Sequence, residues 1–433
     1  MLGAIKAPKA YLGDKSMFYI PSYIIEQQMG TELIIKSALL GNEISLTEQI
    51  YIDEYKKLKL LGTNEIKTKL EVFLYEQEML CEDEVIENIN KQILELLEKK
   101  MLLTIMPTES CNFRCPYCYE EHQNIHMTSE IVDGIKKYIE KQIDTTNILS
   151  ISWFGGEPTL RVDIIEEISK HILKLIETKS VTCEYVASMT TNGYLLTKEL
   201  FEKLWKYQIK EYQITLDGFE HNKTRPLKNG SPTLQTILDN LLEISHLPQE
   251  YDFSIMLRRN IKQGDTTDWY DYLNKLFGKD KRFSLMVRAV SDWGGETVHK
   301  MELLKEDEKD SLLEEHNNYI KNLAMLSADN KIDGKWNPFD KLCYAAYPKG
   351  FVFRANGNIE KCTIILGHEK NVVGNVQKDG NIIIDNEKNR VWSNLLNYEK
   401  CLSCKNMSQC NDMRCPQGNV LNGKSYFCEN KRT

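Results

Sequence analysis

Three things are missing from this chain, and each narrows what it can be. No apolar run approaches the ~20 residues of a membrane-spanning helix, and the opening stretch MLGAIKAPKAYLGDK meets Asp14 and Lys15 before any apolar core of signal-peptide length. The expectation is a cytoplasmic protein with no membrane partner. Basic excess is missing as well: 55 Lys and Arg face 63 Asp and Glu, a net charge of −8, which argues against general binding to phosphate backbones and so against a nucleic-acid partner. Solenoid repeats and low-complexity tracts are also lacking. What is present is an ordinary folded composition, 42% hydrophobic and 27% charged, over 433 residues, a length that suits two or three domains. Twelve cysteines then need a use, since disulfides are rare in the cytoplasm.

The cysteines are grouped. After Cys81 come Cys111, Cys115 and Cys118, then Cys183 alone, then seven between Cys343 and Cys428. Two separate cysteine-dependent sites are expected. Between the groups, six strand-like runs (102–107, 148–154, 181–189, 211–216, 252–258 and 283–290) alternate with helical spacing such as Ile131, Ile135, Tyr138, Ile139, Ile143 and Ile164, Ile165, Ile168, Ile172, Leu175. Repeated strand-helix units predict an α/β fold with a parallel sheet covered by helices. Residues 1–100 differ: two short strands within 30–46 and an amphipathic helix over 83–100 predict a small α+β module. A long helix is expected near 302–325. From about 335, frequent glycine, asparagine and cysteine mark a loop-rich C-terminal domain, in which FVFRANGNIEKC reads as a hairpin turning on Asn356-Gly357. The expected domains are therefore 1–100, 101–334 and 335–433.

In a parallel sheet, ligands sit at the carboxyl ends of the strands. The three cysteines of CNFRCPYCYEE directly follow the first strand, GGEP (155–158) the second, TTNG (190–193) the third and LDG (216–218) the fourth. One common site at that edge is expected. A [4Fe–4S] cluster normally takes four protein thiolates, so a loop that offers three leaves one iron for a ligand that is not protein. Zinc completed by His122 or His126, or plain burial, is the alternative for these residues.

Cys111-x3-Cys115-x2-Cys118 with Tyr117 before the last cysteine, followed by Gly155-Gly156-Glu157-Pro158, resembles the radical S-adenosylmethionine (SAM) enzymes. The resemblance implies a partial (β/α)6 TIM-like barrel. It also implies a cluster whose open iron chelates the amino and carboxylate groups of SAM, and release of a 5′-deoxyadenosyl radical that abstracts a substrate hydrogen. Gly155 and Gly156 are then expected to allow close backbone approach to the methionine moiety, Glu157 to accept from its ammonium, and Thr215 and Arg225 to hold ribose and carboxylate. Tyr117 joins these as a cofactor contact. The segment between Thr215 and Arg225 is shorter than the family's pattern.

The later cysteines resemble the SPASM extension of such enzymes, an iron–sulfur domain with up to two auxiliary [4Fe–4S] clusters, three clusters in all with the first. By that pattern Cys401, Cys404, Cys410 and Cys428 fill one, and Cys343, Cys362 and Cys415 hold the other. Between Cys410 and Cys415 stand four residues, one more than the family's usual spacing. A zinc ribbon is the alternative for the former four. The second set is again one thiolate short, because CYAAYPKG after Cys343 has no further cysteine. Cys81 or Cys183 would have to fill the vacancy, or an open iron would meet a substrate thiolate.

The resemblance implies a peptide substrate, with an external donor such as flavodoxin or ferredoxin supplying the electron. Thr363 stands after Cys362, where sulfatase maturases place an aspartate base, which counts against formylglycine formation. The expected activity is a maturase of ribosomally made peptides, an oxidoreductase that forms a cross-link, foremost a cysteine thioether. A carbon–carbon cross-link is the nearest alternative. Residues 1–100 would bind the precursor's leader as an added strand, or only cap the barrel. An iron–sulfur electron-transfer or metal-binding scaffold without radical chemistry is the reading from another class.

Overall fold

The computed structural model describes residues 17–21, 24–37, 42–82, 95, 97–179, 182–294, 297–301, 303–323, 326–327, 342–393 and 415–422. They fall into two compact units. One comprises described residues of 1–98, 334–348 and 391–433; the other comprises those of 99–333 and 349–390.

The second unit is built on parallel strands β6 (Lys100–Ile105), β7 (Ile148–Trp153), β8 (Glu184–Thr191), β9 (Ile209–Thr215), β10 (Ser254–Ile261) and β11 (Phe283–Ala289). Each pairs in parallel with the next, from Ile105 beside Trp153 at the end of β6 to Ile261 beside Ala289 at the end of β11. The six expected strands are all present, and their order in the sheet is their order in the chain. The connecting helices cover the sheet with the residues their spacing predicts: Ile164, Ile165, Ile168, Ile172 and Leu175 of helix Val162–Lys179 are buried, as are Ile131, Ile135 and Ile139 of helix Ser129–Gln142. Burying each such isoleucine contributes about 1.5–3 kcal/mol. This is a mixed α/β fold around a large, mostly parallel sheet. The long helix expected near 302–325 runs from Glu306 to Ile320.

The sheet does not stop at six. On one side β12 (Leu326–Ser327) pairs in parallel with β11. On the other, β13 (Lys349–Phe353) lies parallel to β6, and antiparallel strands β14 (Asn358–Glu360), β15 (Val372–Val376) and β16 (Ile382–Ile384) continue it to eleven. The expected hairpin is the β13–β14 pair, and Gly357 at its turn has φ +90°, a backbone that favours glycine.

The first unit holds a three-stranded antiparallel sheet of β2 (Ile24–Met29), β3 (Glu32–Ser37) and β4 (Glu43–Leu46), and a short pair of β1 (Phe18–Tyr19) with β5 (Cys81–Glu82). Two of these strands match the expectation for 30–46. β2, IIEQQM, is half polar and shows no strand alternation in sequence. Helices Gln49–Leu61 and Lys69–Glu76 pack with them, the latter opened by a capping box of Thr68 and Glu71. Most of the amphipathic stretch at 83–100 lies outside the described residues, and its last residue opens β6. Cys81 stands in β5, and Cys183 is buried one residue before β8.

Candidate active site at the carboxyl edge of the sheet

Each of the strands β6 to β11 delivers residues to one cavity at the carboxyl edge. It encloses about 950 Å³ of empty space, part of it continuous with solvent. The loop after β6 contributes Cys111, Cys115, Tyr117, Cys118 and Glu120; the turn after β7 contributes Gly155 and Gly156. Thr190, Thr191 and Asn192 come from the end of β8, Gln213 and Thr215 from β9, Arg258 and Asn260 from β10, and Val290 from beyond β11. Arg225 also lines it. Residues of three of the four strand-end motifs line this cavity; of the fourth, LDG (216–218), none does, and Thr215 just before it reaches the cavity instead.

The cysteine loop is strapped at several points. Glu109 N–H donates to Ile125 C=O (3.0 Å), Arg114 N–H to Pro226 C=O (3.0 Å) and Lys228 N–H to Asn112 C=O (2.8 Å). Asn192 Nδ2 donates to Asn112 Oδ1 (2.8 Å), joining the loop to the end of β8. The glycines of GGEP answer to the same packing. Gly155 has φ +116°, and a Cβ there would stand 2.3 Å from Thr108 O; a Cβ on Gly156 would stand 2.5 Å from Ser110 O and 2.6 Å from Glu109 O. Their backbone runs against the base of the cysteine loop, with Gly156 N–H donating to Thr108 C=O (3.2 Å) and Glu157 N–H to Ser110 C=O (3.0 Å). Close approach to protein backbone is thus a reason for both glycines, one not among those expected from sequence.

Glu157 is fully buried and is not among the residues lining the cavity. Its Oε1 accepts from Thr159 N–H (3.0 Å), Thr159 Oγ1 (2.6 Å) and Thr191 Oγ1 (2.7 Å), and its Oε2 from Asn192 N–H (2.7 Å). The carboxylate therefore pins the end of β8 to the turn after β7. Glu157→Gln turns an amide NH₂ toward these donors and is expected to cost about 1–3 kcal/mol, the penalty of an unsatisfied buried group, read by denaturant unfolding.

A second network joins residues far apart in the chain. Tyr117 Oη donates to Asp217 Oδ2 (2.5 Å) and accepts from Arg225 Nη1 (3.1 Å), while Thr224 Oγ1 donates to the same Asp217 oxygen (2.8 Å). The Arg225 guanidinium lies 5.6 Å from the Phe113 ring, a cation–π distance. Nothing in the sequence marks Asp217 beyond its turn, because its partner Tyr117 is 100 positions away. Asp217→Asn is expected to leave folding intact and to weaken SAM cleavage about 10–100-fold, the range for residues that orient a site's ligands; Tyr117→Phe should match it. The readout is 5′-deoxyadenosine.

Charge in the cavity is tuned by burial. Burial raises all three thiols: Cys118 is pushed up to about 12, Cys115 is raised with Arg225 opposing, and Cys111 is raised with Glu157 adding to the effect. Binding iron there must displace thiol protons, which makes cluster assembly favour higher pH. Burial, then the charge of Glu109, pushes Glu120 up to about 8. His122, on a backbone with φ +51°, is lowered to about 4 by burial and Arg114, and both its ring nitrogens are buried without a partner among the described residues.

His221 is fully buried and lowered to about 2, first by burial and then by Arg225. The unfolded chain takes up a proton near pH 6.5 that the folded chain refuses. This residue's contribution is therefore present above that pH and is lost as pH falls, by about 1.4 kcal/mol per unit. Unfolding midpoints should fall below pH 6.5, and His221→Gln should flatten the dependence.

The donor set fits a cluster with one open iron. Three thiols, none in a disulfide, line one cavity together with Arg225, whose buried Nε has no hydrogen-bond partner among the described residues. Among the described residues no three His, Cys, Asp or Glu side chains converge as ligands of a single metal ion. A cluster that uses one thiolate per iron needs no such point. Of the later cysteines, Cys362 is buried just past β14, Cys343 is half-buried at the start of the turn 344–346, and Cys415 is exposed. Cys401, Cys404, Cys410 and Cys428 lie outside the described residues. Among the described residues no helix is long and apolar enough to cross a membrane.

The profile of the radical SAM superfamily matches residues 105–269, from the end of β6 through β10. This chain carries a radical SAM domain, and that family implies a SAM-binding [4Fe–4S] cluster. The chain is similar to an uncharacterized protein of Methanocaldococcus jannaschii, 26% identical over 66% of this chain and 93% of that one. It is also similar to the GTP 3′,8-cyclase of Campylobacter jejuni subsp. doylei, 26% identical over 50% of this chain, and spans just under two thirds of that enzyme's length, 64%. Two solved structures of anSMEcpe, one with bound AdoMet and one with AdoMet and the Cp18Cys peptide, superpose at TM-scores of 0.53 and 0.52, each 18% identical and covering 76% of this chain and 94% of that one. At that identity the likeness is one of fold.

Proposed function

We propose that this protein is a radical SAM maturase of a ribosomally made peptide. The observation that carries the reading is the single cavity in which Cys111, Cys115 and Cys118 meet Gly155, Gly156, Thr215 and Arg225 at the carboxyl edge of the sheet. Cys111, Cys115 and Cys118 hold the first cluster, and Arg225, Thr215 and Tyr117 hold SAM, with Glu157 fixing the strand ends around it. The bound cluster and SAM supply a 5′-deoxyadenosyl radical. The chain's own residues orient the substrate carbon toward it and exclude water.

A peptide substrate is supported by the anSMEcpe structure with the Cp18Cys peptide, whose fold this chain shares. The product is a cross-link, foremost a thioether between a cysteine sulfur and a carbon, with a carbon–carbon bond as the alternative. Thr363 beside Cys362 disfavours formylglycine formation. The auxiliary clusters would be held by Cys401, Cys404, Cys410 and Cys428 and by Cys343, Cys362 and Cys415, within a domain at 335–433. Residues 1–100 would bind the leader; β2 and β4 are the edges of their sheet, to which a strand could be added. A cytoplasmic location and an electron donor of the flavodoxin or ferredoxin kind belong to this reading. Incubating the reduced enzyme with its peptide is expected to give a product two hydrogens lighter: one hydrogen atom passes from carbon to 5′-deoxyadenosine, the other leaves the thiol as a proton, and the electron left over as the sulfur–carbon bond forms would pass to an auxiliary cluster. A formylglycine product, or no change in mass, contradicts it.

A further inference from the structure

Outside the cavity, a buried polar chain starts at Glu109, at the base of the cysteine loop. Arg354 follows β13 and is buried, 8% exposed. Nε and Nη2 reach Glu109 Oε1 (2.9 Å) and Oε2 (2.6 Å), a two-pronged pair, and Nη1 reaches Glu360 Oε1 (3.1 Å). Glu360, fully buried, also accepts from Gly367 N–H (3.1 Å) and from Asn371 Nδ2 (2.7 Å). Asn371, fully buried in turn, accepts at Oδ1 from the Lys361 (3.1 Å) and Cys362 (2.8 Å) amides and donates from Nδ2 to Cys362 C=O (2.8 Å) and Ile365 C=O (2.9 Å). An unbroken run of hydrogen bonds therefore joins Glu109, two positions before Cys111, to the backbone on both sides of Cys362.

The composition of this run argues for geometry rather than stability. One buried cation faces two buried carboxylates, and ion pairs taken out of water are often no better than apolar packing of equal volume. What a fork-on-fork pair adds is orientation: two parallel N–H···O bonds fix the plane and distance of both partners. The residues it joins are 245 positions apart, and neither Glu109, Arg354, Glu360 nor Asn371 lines the cavity.

We propose that Arg354 is a positioning residue that holds the Cys111 loop and the Cys362 loop at one fixed separation, so that the two loops move as one body. The catalytic meaning of that separation rests on the proposed role of Cys362 as an auxiliary-cluster ligand; the coupling itself does not.

The test uses the full-length chain, reconstituted anaerobically with iron and sulfide, as wild type and as Arg354→Met, Arg354→Lys, Glu109→Gln and Cys362→Ala. Hydrogen exchange is followed in segments 106–113 and 360–371, with 184–191 of β8 as a folding control. Arg354→Met is expected to speed exchange in both loops about 10-fold or more, as loss of a hydrogen bond to a charged group implies, with β8 unchanged. It should also alter the electron paramagnetic resonance line shape of the dithionite-reduced first cluster with SAM bound. Arg354→Lys, which keeps the charge without the fork, should restore part of both. Faster exchange in 360–371 alone, or in neither loop, or an unaltered line shape, overturns the coupling. If Arg354→Met loses the β8 control, Glu109→Gln decides by the same criterion. Cys362→Ala reports separately: about four iron lost per chain supports its ligand role, whereas unchanged iron with both loops loosened in Arg354→Met removes that role and leaves the coupling standing.

Discussion

Cys115→Ala is expected to reduce formation of 5′-deoxyadenosine more than about 100-fold, beyond the 10–100-fold typical of residues that only orient a ligand. The thiol is one of three that line a single cavity, and burial raises it, with Arg225 close enough to oppose the shift. A cube with two protein thiolates instead of three loses its hold on the loop that presents it. About four iron should be lost per chain on reconstitution, while far-ultraviolet circular dichroism stays that of the parent, because the alternating strands and helices fold without the loop. Cys111→Ala and Cys118→Ala should match it. A variant that keeps both its iron and its activity would show that the loop serves some other end.

The second large effect is expected from Gly156→Ala. An added Cβ would meet two main-chain oxygens, Ser110 O at 2.5 Å and Glu109 O at 2.6 Å, and neither can turn aside as a flexible side chain could. Overpacking of this kind costs about 1–3 kcal/mol, and relief means pushing back residues 108–110, which lead directly into Cys111. Denaturant unfolding should show the loss of stability, and iron content should fall with it. Arg258→Met, in contrast, removes a cavity side chain that packs no backbone in this way and should leave iron content unchanged. If Gly156→Ala matched the parent in both measurements, the close approach of the GGEP turn to the cysteine loop would be wrong.

Much of the site could be read in the sequence because its parts fall at breaks in a regular pattern. CNFRCPYCYEE, GGEP, TTNG and TLDG each end an apolar run, and the parallel order of the runs forces their ends to one edge. What could not be read is whatever depends on pairing across long separations or on strand interiors. Tyr117 finds Asp217, and Arg354 finds Glu109, only once the sheet has formed. Gln213, Arg258 and Asn260 reach the cavity from within strands, where a polar residue in an alternating run looks like a solvent face. β13 pairs with β6 because its apolar residues, Phe351 and Phe353 among them, pack against helix residue Tyr138, with ring centroids 6.1 and 5.9 Å apart; no turn signal announces a parallel strand drawn from beyond residue 340. The role expected of Glu157 was set by its motif alone, and the four donors around its carboxylate add a structural duty that the motif does not reveal.

Reductive cleavage of SAM at a site formed by the three thiols, the strand-end glycines and Arg225 can be tested in a single anaerobic assay: the iron-reconstituted full-length chain, dithionite and SAM, analysed for 5′-deoxyadenosine. 5′-Deoxyadenosine is expected in the parent, with none above background in Cys115→Ala. Bound iron with no cleavage of SAM in the parent, or zinc retained in place of iron, would contradict it and leave the protein a metal-binding or electron-transfer scaffold.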